Sequence, residues 1–361
     1  MFSKEELERY SRHFVLQGFG QEAQEKLKQS SVLVIGAGGL GAPLLQYLTA
    51  AGIGKIGIAD FDSISLSNLQ RQVLFTTDSI GKLKSEESVE VLKKLNPNVE
   101  FKVYSKMLTS ENTLAIIEQY DVIVDGTDNF PTRYLINDAS VISKKPLVYG
   151  SVHGFEGQCS VFNHNNGPNY RDMHPTPPNP DSVPNCTEGG VLGALPGIIG
   201  SIMAVEAIKI LAGMEPELSG QLYLFDSLHY YNQKIKLGAA NPTNKVTELI
   251  DYDAFCSNSF EKTSMPKSVK AVELKQWLKD TENEVSLVDV REVYERSIGH
   301  IGGIHIPLIT ILEKSSEVPL NGKVVFYCSG GVRSMHAIQQ LENHPNHTNF
   351  YNLENGLHEW S

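Results

Sequence analysis

The first 150 residues alternate between continuous apolar runs and segments with helical periodicity. The run "SVLVI" at 31–35 leads into a glycine-rich turn, a helical pattern, and a second apolar run that ends just before Asp60. This order predicts a βαβ unit, because two parallel strands need a helical crossover between them. Strands that are apolar on both faces are typical of a parallel sheet covered by helices on both sides.

Further units of this kind follow, until the pattern changes near residue 155. We expect helices near 81–95, near 110–119 and after Asn129. We expect strands near 99–105, 121–126 and 146–151. The alternating stretch "GFEGQCSVFNHN" then favours an antiparallel strand, and a segment rich in Pro, Asn and Gly favours a long functional loop. An apolar helix near 194–213 and two strands near 220–236 complete the domain. The fold class is therefore α/β, with a Rossmann-like domain built on a mixed sheet.

A second, smaller α/β pattern begins at residue 268 after a stretch of weak periodicity. The expected organisation is one domain over 1–240, a linker over 241–267 and a second domain over 268–361. A chain of 361 residues, 41% of them hydrophobic, is long enough to bury two cores.

Composition limits the cellular setting and the partners. Cysteines occur at 159, 186, 256 and 328, without the close spacing of a disulfide framework, which favours a reducing cytoplasm. The N-terminal stretch has no signal-peptide core, and no run of 18 apolar residues occurs, so no membrane partner is expected. The net charge of −11 argues against a nucleic-acid partner.

The glycine loop "GAGGLG" predicts a nucleotide site. Its Gly36, Gly38 and Gly41 have dinucleotide-binding spacing, and Asp60 ends the next strand, where a ribose hydroxyl would lie. An NAD-dependent oxidoreductase is one interpretation. Cationic and amide groups follow, however, at Ser67, Asn68, Arg71 and Lys84, and Asp128 is placed to hold Mg²⁺. Nucleotidyl transfer needs such charges because the α-phosphate and the departing pyrophosphate must be neutralised.

The stretches "RYSRH", "GAGGLG", "DFDSISLSNLQRQ", "DGTDN" and "CTEGGVLG" together resemble the MoeB and ThiF type of adenylating enzyme, a relative of the ubiquitin-activating enzymes. The resemblance covers about residues 5–240. It implies a homodimer that uses ATP and Mg²⁺ to adenylate the C-terminal glycine of a ubiquitin-fold sulfur carrier. The residues that it implies for the nucleotide, the phosphates and the metal are Gly36, Gly38, Gly39, Gly41, Asp60, Ser67, Asn68, Arg71, Lys84, Asp128 and Asn129. It also implies that Arg12 reaches across the dimer into the partner subunit's site.

The resemblance also concerns a cysteine and a metal. Cys186, in "PNCTEGG", matches the cysteine that relatives use to accept the carrier or its sulfur, whereas Cys159 and Cys256 are interpreted as structural. MoeB-type members usually hold a structural zinc with two CxxC pairs. Here those stretches are "NYRD" and "NKVT", with Asn169, Asp172, Asn244 and Thr247 in place of the thiolates. Zinc is therefore expected to be absent.

The second domain offers another thiol in "VVFYCSGGVRS". We expect a strand that ends at Cys328 and a helix that begins just after Arg333, so that loop amides and Arg333 surround the sulfur. This environment favours the thiolate, although a packed, inert cysteine is the alternative. With "SLVDVREVYERSIGHIGGIHIPL" and "NFYNLENGLHEW", the segment resembles a rhodanese domain, which implies a persulfide on Cys328. Four residues separate Cys328 from Arg333, one fewer than in the related phosphatases. Asp289 and Arg291 are expected to pair as a scaffold.

These interpretations combine into one predicted activity. The first domain adenylates a sulfur carrier, and the second transfers sulfur to it as a thiocarboxylate, for molybdopterin synthesis, thiamine synthesis or tRNA thiolation. The sulfur donor would be thiosulfate or a persulfide-forming enzyme. Two alternatives remain at this point: an oxidoreductase with an appended domain, and a scaffold without catalysis that recruits a ubiquitin-like protein.

Overall fold

A computed structural model describes residues 1–177, 190–241, 246–258, 266–279 and 284–360. Their contacts divide the chain into two compact units, Met1–Ser259 and Phe260–Ser361. Both units are α/β, as the sequence predicts. Among the described residues, no helix combines the length and the apolar character that a membrane span requires.

The first unit is built on a mixed sheet of eight strands, in the order β3-β2-β1-β4-β5-β6-β7-β8. Strands β1 to β5 pair in parallel, and β5 to β8 pair antiparallel. The strands are β1 (Ser31–Ile35), β2 (Lys55–Ala59), β3 (Glu100–Tyr104), β4 (Val122–Asp125), β5 (Leu147–His153), β6 (Glu156–Phe162), β7 (Gln221–Asp226) and β8 (Tyr231–Lys236). The change to antiparallel pairing falls where the apolar runs give way to alternation.

Helices cover both faces of the parallel half, which explains its continuous apolar strands. Within β1, Val32 and Val34 belong to one buried cluster, and Leu33 and Ile35 belong to the other. The helices are α1 (Lys4–Arg9), α2 (Ser11–Phe14), α3 (Gly20–Gln29), α4 (Gly41–Ala51), α5 (Lys84–Leu95), α6 (Thr113–Ile117), α7 (Phe130–Ile142), α8 (Tyr170–Met173), α9 (Leu195–Leu211) and α10 (Tyr252–Asn258).

Helix α10 lies within the stretch that the sequence suggested as a linker. Its Tyr252 and Cys256 are buried in the same cluster as Tyr134 of α7. The helix has only seven residues, too few for a clear apolar periodicity. Residues 252–258 are therefore part of the first unit and not of a connection between domains.

The second unit has a parallel sheet of five strands in the order β11-β10-β12-β13-β9. Separate buried clusters lie on its two faces. Its elements are β9 (Lys267–Val269), α11 (Ala271–Trp277), β10 (Val285–Asp289), α12 (Val293–Ile298), β11 (Ile304–His305), β12 (Lys323–Tyr327), α13 (Val332–Gln340) and β13 (Phe350–Leu353). Strand β12 ends one residue before Cys328, and α13 begins one residue before Arg333 rather than after it.

Candidate functional sites

The first candidate site lies at the carboxyl edge of β1, β2 and β4, where the strand order reverses direction and ligands of open α/β sheets bind. The glycine loop between β1 and α4 fits closely against the end of β4. Gly36 has a φ of +93°, and a Cβ on it would lie 2.8 Å from the carbonyl oxygen of Gly126. Only glycine fits this position, which supports its predicted place in the loop.

Asp60 connects this loop to the end of β2. Its Oδ2 accepts a hydrogen bond from the backbone N–H of Ala37 at 2.8 Å, and its Oδ1 accepts one from the N–H of Asp62 at 2.9 Å. Burial raises the pKa of Asp60, and the charge of Lys84 opposes that shift. Asp60 therefore fixes the glycine loop and leaves carboxylate lone pairs for a hydroxyl donor.

Lys84 begins α5 and reaches back to this edge. Its Nζ contacts Asp62 Oδ2 at 2.8 Å, and its side chain is 8% exposed against 53% for Asp62. Sequence reasoning assigned Asp62 neither a role nor a partner. The carboxylate of Asp62 therefore holds the ammonium group of Lys84 at this edge of the sheet.

Arg71 lies over the glycine loop. A Cβ built on Gly39 would be 3.4 Å from Arg71 Cγ, and the guanidinium donates to the carbonyl of Ser67 at 3.2 Å. Asn68 Oδ1 accepts from the N–H of Ser65 at 3.1 Å, which closes a 3₁₀ turn over Leu66–Asn68. The structure thus brings the predicted arginine beside the predicted loop.

Asp128 and Asn129 follow β4 and are both exposed. Asn129 Oδ1 caps α7 by accepting from the N–H of Thr132 at 3.0 Å. The segment is anchored by two buried residues that sequence reasoning missed: Asp125, which accepts from Thr127, and Arg133, which donates to the Thr127 carbonyl at 2.8 Å. Both occur in the stretch "DGTDNFPTR", but a local motif does not show which charges become buried.

Two predicted residues of this unit are not brought to the site by the described chain. Arg12 is exposed on α2, and its contact with a partner subunit's site stays a prediction. Cys186 lies outside the described residues. Burial raises the pKa of Cys159, and burial raises that of Cys256 to about 11, which supports the structural interpretation of both thiols.

Two of the four positions that the resemblance compares with zinc ligands, Asn169 and Asp172, form hydrogen bonds. Asn169 caps α8, and its N–H and side-chain amide donate to Asp172 Oδ2 at 2.9 and 3.0 Å. Asp172 Oδ1 accepts from the N–H of Asn241 at 3.2 Å, while Asn244 lies outside the described residues. The fourth of these positions is Thr247. The four side chains therefore offer neither sulfur nor imidazole, and such a set does not fit a structural zinc.

Elemental analysis of the purified protein should therefore find no stoichiometric zinc. Hard oxygen ligands bind zinc too weakly to retain it through purification against a chelator. A content of about one zinc per chain would contradict this expectation and would point to other ligands, such as His174 with Asp172.

The second candidate site surrounds Cys328, directly after β12. Its Sγ accepts hydrogen bonds from the N–H of Gly331 at 3.0 Å and from Ser334 Oγ at 3.5 Å, and the residue is 2% exposed. Gly331 has a φ of +88°, which turns its N–H toward the sulfur. The loop thus provides donors for a sulfur anion, as the sequence suggested.

Arg333 lies beside this loop but is held by a residue that sequence reasoning missed. Its NH1 and NH2 contact Glu295 Oε2 and Oε1 at 2.6 and 2.7 Å, and NH2 also donates to Ser329 Oγ at 3.1 Å. The hydrogen bonds from Arg333 are the largest factor that lowers the pKa of Glu295, to about 2. The two residues are 38 apart, so no local spacing could have indicated the pair.

A cavity of about 510 Å³ opens next to the loop. Its wall is mainly apolar and includes Ile298, Ile301, Leu357 and Trp360; the polar lining residues are Arg291, Glu295, His300 and Ser329. Asp289 and Arg291 form the predicted pair beside it, with two contacts of 2.9 and 2.8 Å.

The two folds and their sites define an adenylating-enzyme domain joined to a rhodanese-like domain. The chain matches the ThiF family over residues 10–246 and the rhodanese-like domain over residues 270–361. It therefore belongs to the ThiF family, and it is an adenylyltransferase and sulfurtransferase. The predicted family is confirmed, and the oxidoreductase alternative is not favoured.

Two relatives support this classification. The chain is 40% identical over 369 residues to the probable adenylyltransferase/sulfurtransferase MoeZ of Mycobacterium tuberculosis, an alignment that covers 99% of this chain and 94% of the relative. It is 48% identical over 267 residues to the sulfur carrier protein adenylyltransferase of Thermus thermophilus, covering 71% of this chain and 98% of the relative.

A solved structure supports the fold alone. The crystal structure of Escherichia coli MccB with ATP superposes with a TM-score of 0.59 at 22% identity, and covers 66% of this chain and 73% of that chain.

Proposed function

We propose that the first unit binds ATP with Mg²⁺ and adenylates the C-terminal glycine of a ubiquitin-fold sulfur carrier. The supporting observation is the meeting of Asp60, Lys84 and Arg71 at one sheet edge of a ThiF-family unit, beside the end of β4 that carries Asp128. The carrier's carboxylate attacks the α-phosphate, and pyrophosphate leaves with the bonding electrons. Arg71 and Lys84 neutralise phosphate charge, and Asp128 would hold the magnesium ion, which supplies further neutralisation.

The second unit would supply the sulfur. A persulfide on Cys328 attacks the carbonyl carbon of the acyl-adenylate, AMP leaves, and the carrier becomes joined to Cys328 through an acyl disulfide. The thiolate of Cys186 then attacks the Cys328 sulfur, which releases the thiocarboxylate and leaves a Cys186–Cys328 disulfide. A thiol reductant returns both cysteines to the reduced state. The protein would act as a homodimer in the cytoplasm, with Arg12 reaching the partner subunit's nucleotide site.

The adenylation step is tested with Asp128→Ala and Arg71→Ala. Either change should abolish the carrier-dependent exchange of pyrophosphate into ATP, since each removes charge that the departing pyrophosphate requires. Asp78→Ala, a loss of an exposed acid elsewhere in the same unit, is the matched control and should exchange normally. Near-normal exchange by Asp128→Ala or Arg71→Ala would rule out the assignment of that residue.

A further inference from the structure

The carboxylate of Glu295 is hydrogen-bonded to the loop that carries Cys328. Besides both hydrogen bonds from Arg333, it accepts one from Ser329 Oγ at 2.9 Å and one from the N–H of Glu292 at 3.0 Å. The side chains of Glu295 and Arg333 are only 15% and 16% exposed. Because the carboxylate receives four donors from a helix and a loop, it holds Arg333 in one position.

Two other arginines of this region, Arg291 and Arg296, also have their charge neutralised by a carboxylate. Arg291 lines the cavity and pairs with Asp289, and Arg296 contacts Asp289 at 3.3 Å and the Gly303 carbonyl at 2.8 Å. Each described arginine around the cavity therefore has a carboxylate partner. The donors that remain directed at the sulfur, Gly331 N–H and Ser334 Oγ, are neutral.

These charges matter because possible sulfur donors differ in charge. With thiosulfate, the Cys328 thiolate attacks the outer sulfur, the S–S bond breaks, and sulfite leaves as a dianion with the electron pair. With an organic persulfide, the same attack releases a monoanionic thiolate, and the organic group can contact Ile298, Leu357 and Trp360 in the cavity. Because Glu295 holds the Arg333 guanidinium, that charge is not free to stabilise the dianionic leaving group.

We propose that Glu295 determines the donor specificity of Cys328: by holding Arg333 it disfavours thiosulfate and favours an organic persulfide. The proposal rests on the proposed function, in that Cys328 must carry the sulfur. Glu295 is a positioning residue here, because it acts through Arg333 and does not touch the transferred atom.

The test compares two donors, thiosulfate and cysteine persulfide, by the rate at which each loads sulfur onto Cys328 in the full chain. Glu295→Gln keeps the shape of the side chain and releases the charge of Arg333. It should raise kcat/KM for thiosulfate about tenfold, mainly through a lower KM, with a steeper salt dependence. For cysteine persulfide the change should stay within about twofold, since the leaving group carries less charge.

Three further variants isolate the cause. Glu342→Gln removes an exposed acid in the same unit and should leave the donor ratio unchanged. Adding Arg333→Met to Glu295→Gln should remove the gain, because the gain depends on the released guanidinium. Glu295→Asp, with its shorter carboxylate, should give a smaller gain, and it provides the test if Glu295→Gln does not fold.

Equal losses with both donors, or an unchanged donor ratio in a folded Glu295→Gln protein, would overturn this proposal and show a purely structural pair. Failure of both donors to load sulfur onto wild-type Cys328 would instead overturn the proposed function.

Discussion

Replacing Cys328 with alanine should abolish transfer of sulfur to the carrier, while adenylation of the carrier continues at the wild-type rate. The thiol is the group that attacks the donor, and its Sγ is the atom to which Gly331 and Ser334 direct their hydrogens. A neighbouring hydroxyl or amide cannot carry a sulfane sulfur, so no partial substitute is expected. The nucleotide site lies in the other unit and should not be affected.

Peptide mass spectrometry after treatment with a persulfide donor and alkylation of free thiols locates the added sulfur. Without carrier, one extra sulfur should be found on Cys328 and none on Cys186, Cys159 or Cys256. Cys256→Ala is the matched control, because its thiol is buried and has a raised pKa. Cys186→Ala should form the persulfide normally but deliver it slowly. Sulfur located on Cys186 in place of Cys328, or full carrier thiolation by Cys328→Ala, would contradict this division of roles.

The parts of the fold that follow from local patterns could be predicted from the sequence. The continuous apolar run at 31–35, the glycines after it and the acid at Asp60 specify a strand, a turn and a second strand end. The structure joins them through the bond from Ala37 to Asp60. The change to alternation after residue 155 likewise indicated the antiparallel half of the sheet.

Pairs that are distant in the chain could not be predicted in this way. Glu295 and Arg333 are 38 residues apart, and Asp138 and Tyr252 are 114 apart. Such pairs form because the fold buries charged groups, and each buried charge then needs a partner that only the packed structure identifies. Arg333 is an example. The sequence suggested that its guanidinium faces the sulfur anion, whereas in the structure the guanidinium contacts the carboxylate of Glu295.

Asp138→Ala should strongly destabilise the first unit while leaving the nucleotide site intact. Asp138 is 1% exposed and accepts from Arg171 Nε and NH2, both at 2.7 Å, and from Tyr252 OH at 2.8 Å. It thereby joins α7, α8 and α10, close to where relatives are expected to use zinc. The substitution removes the buried carboxylate that accepts both of these hydrogen bonds from the Arg171 guanidinium, whose Cζ lies 4.7 Å from the centroid of the Phe255 ring. Breaking such a pair costs about 3–5 kcal/mol.

Denaturant unfolding followed by far-ultraviolet circular dichroism measures this loss in the full chain. Both tryptophans, Trp277 and Trp360, belong to the second unit, so their fluorescence reports that unit alone and should show an unchanged transition. Tyr252→Phe is the matched control: it removes one neutral donor and keeps the ion pair, so it should cost only about 1 kcal/mol. If Asp138→Ala were no more destabilising than Tyr252→Phe, the carboxylate would not be what holds α10 to the first unit, and packing of Tyr252 and Cys256 in the core would have to account for it.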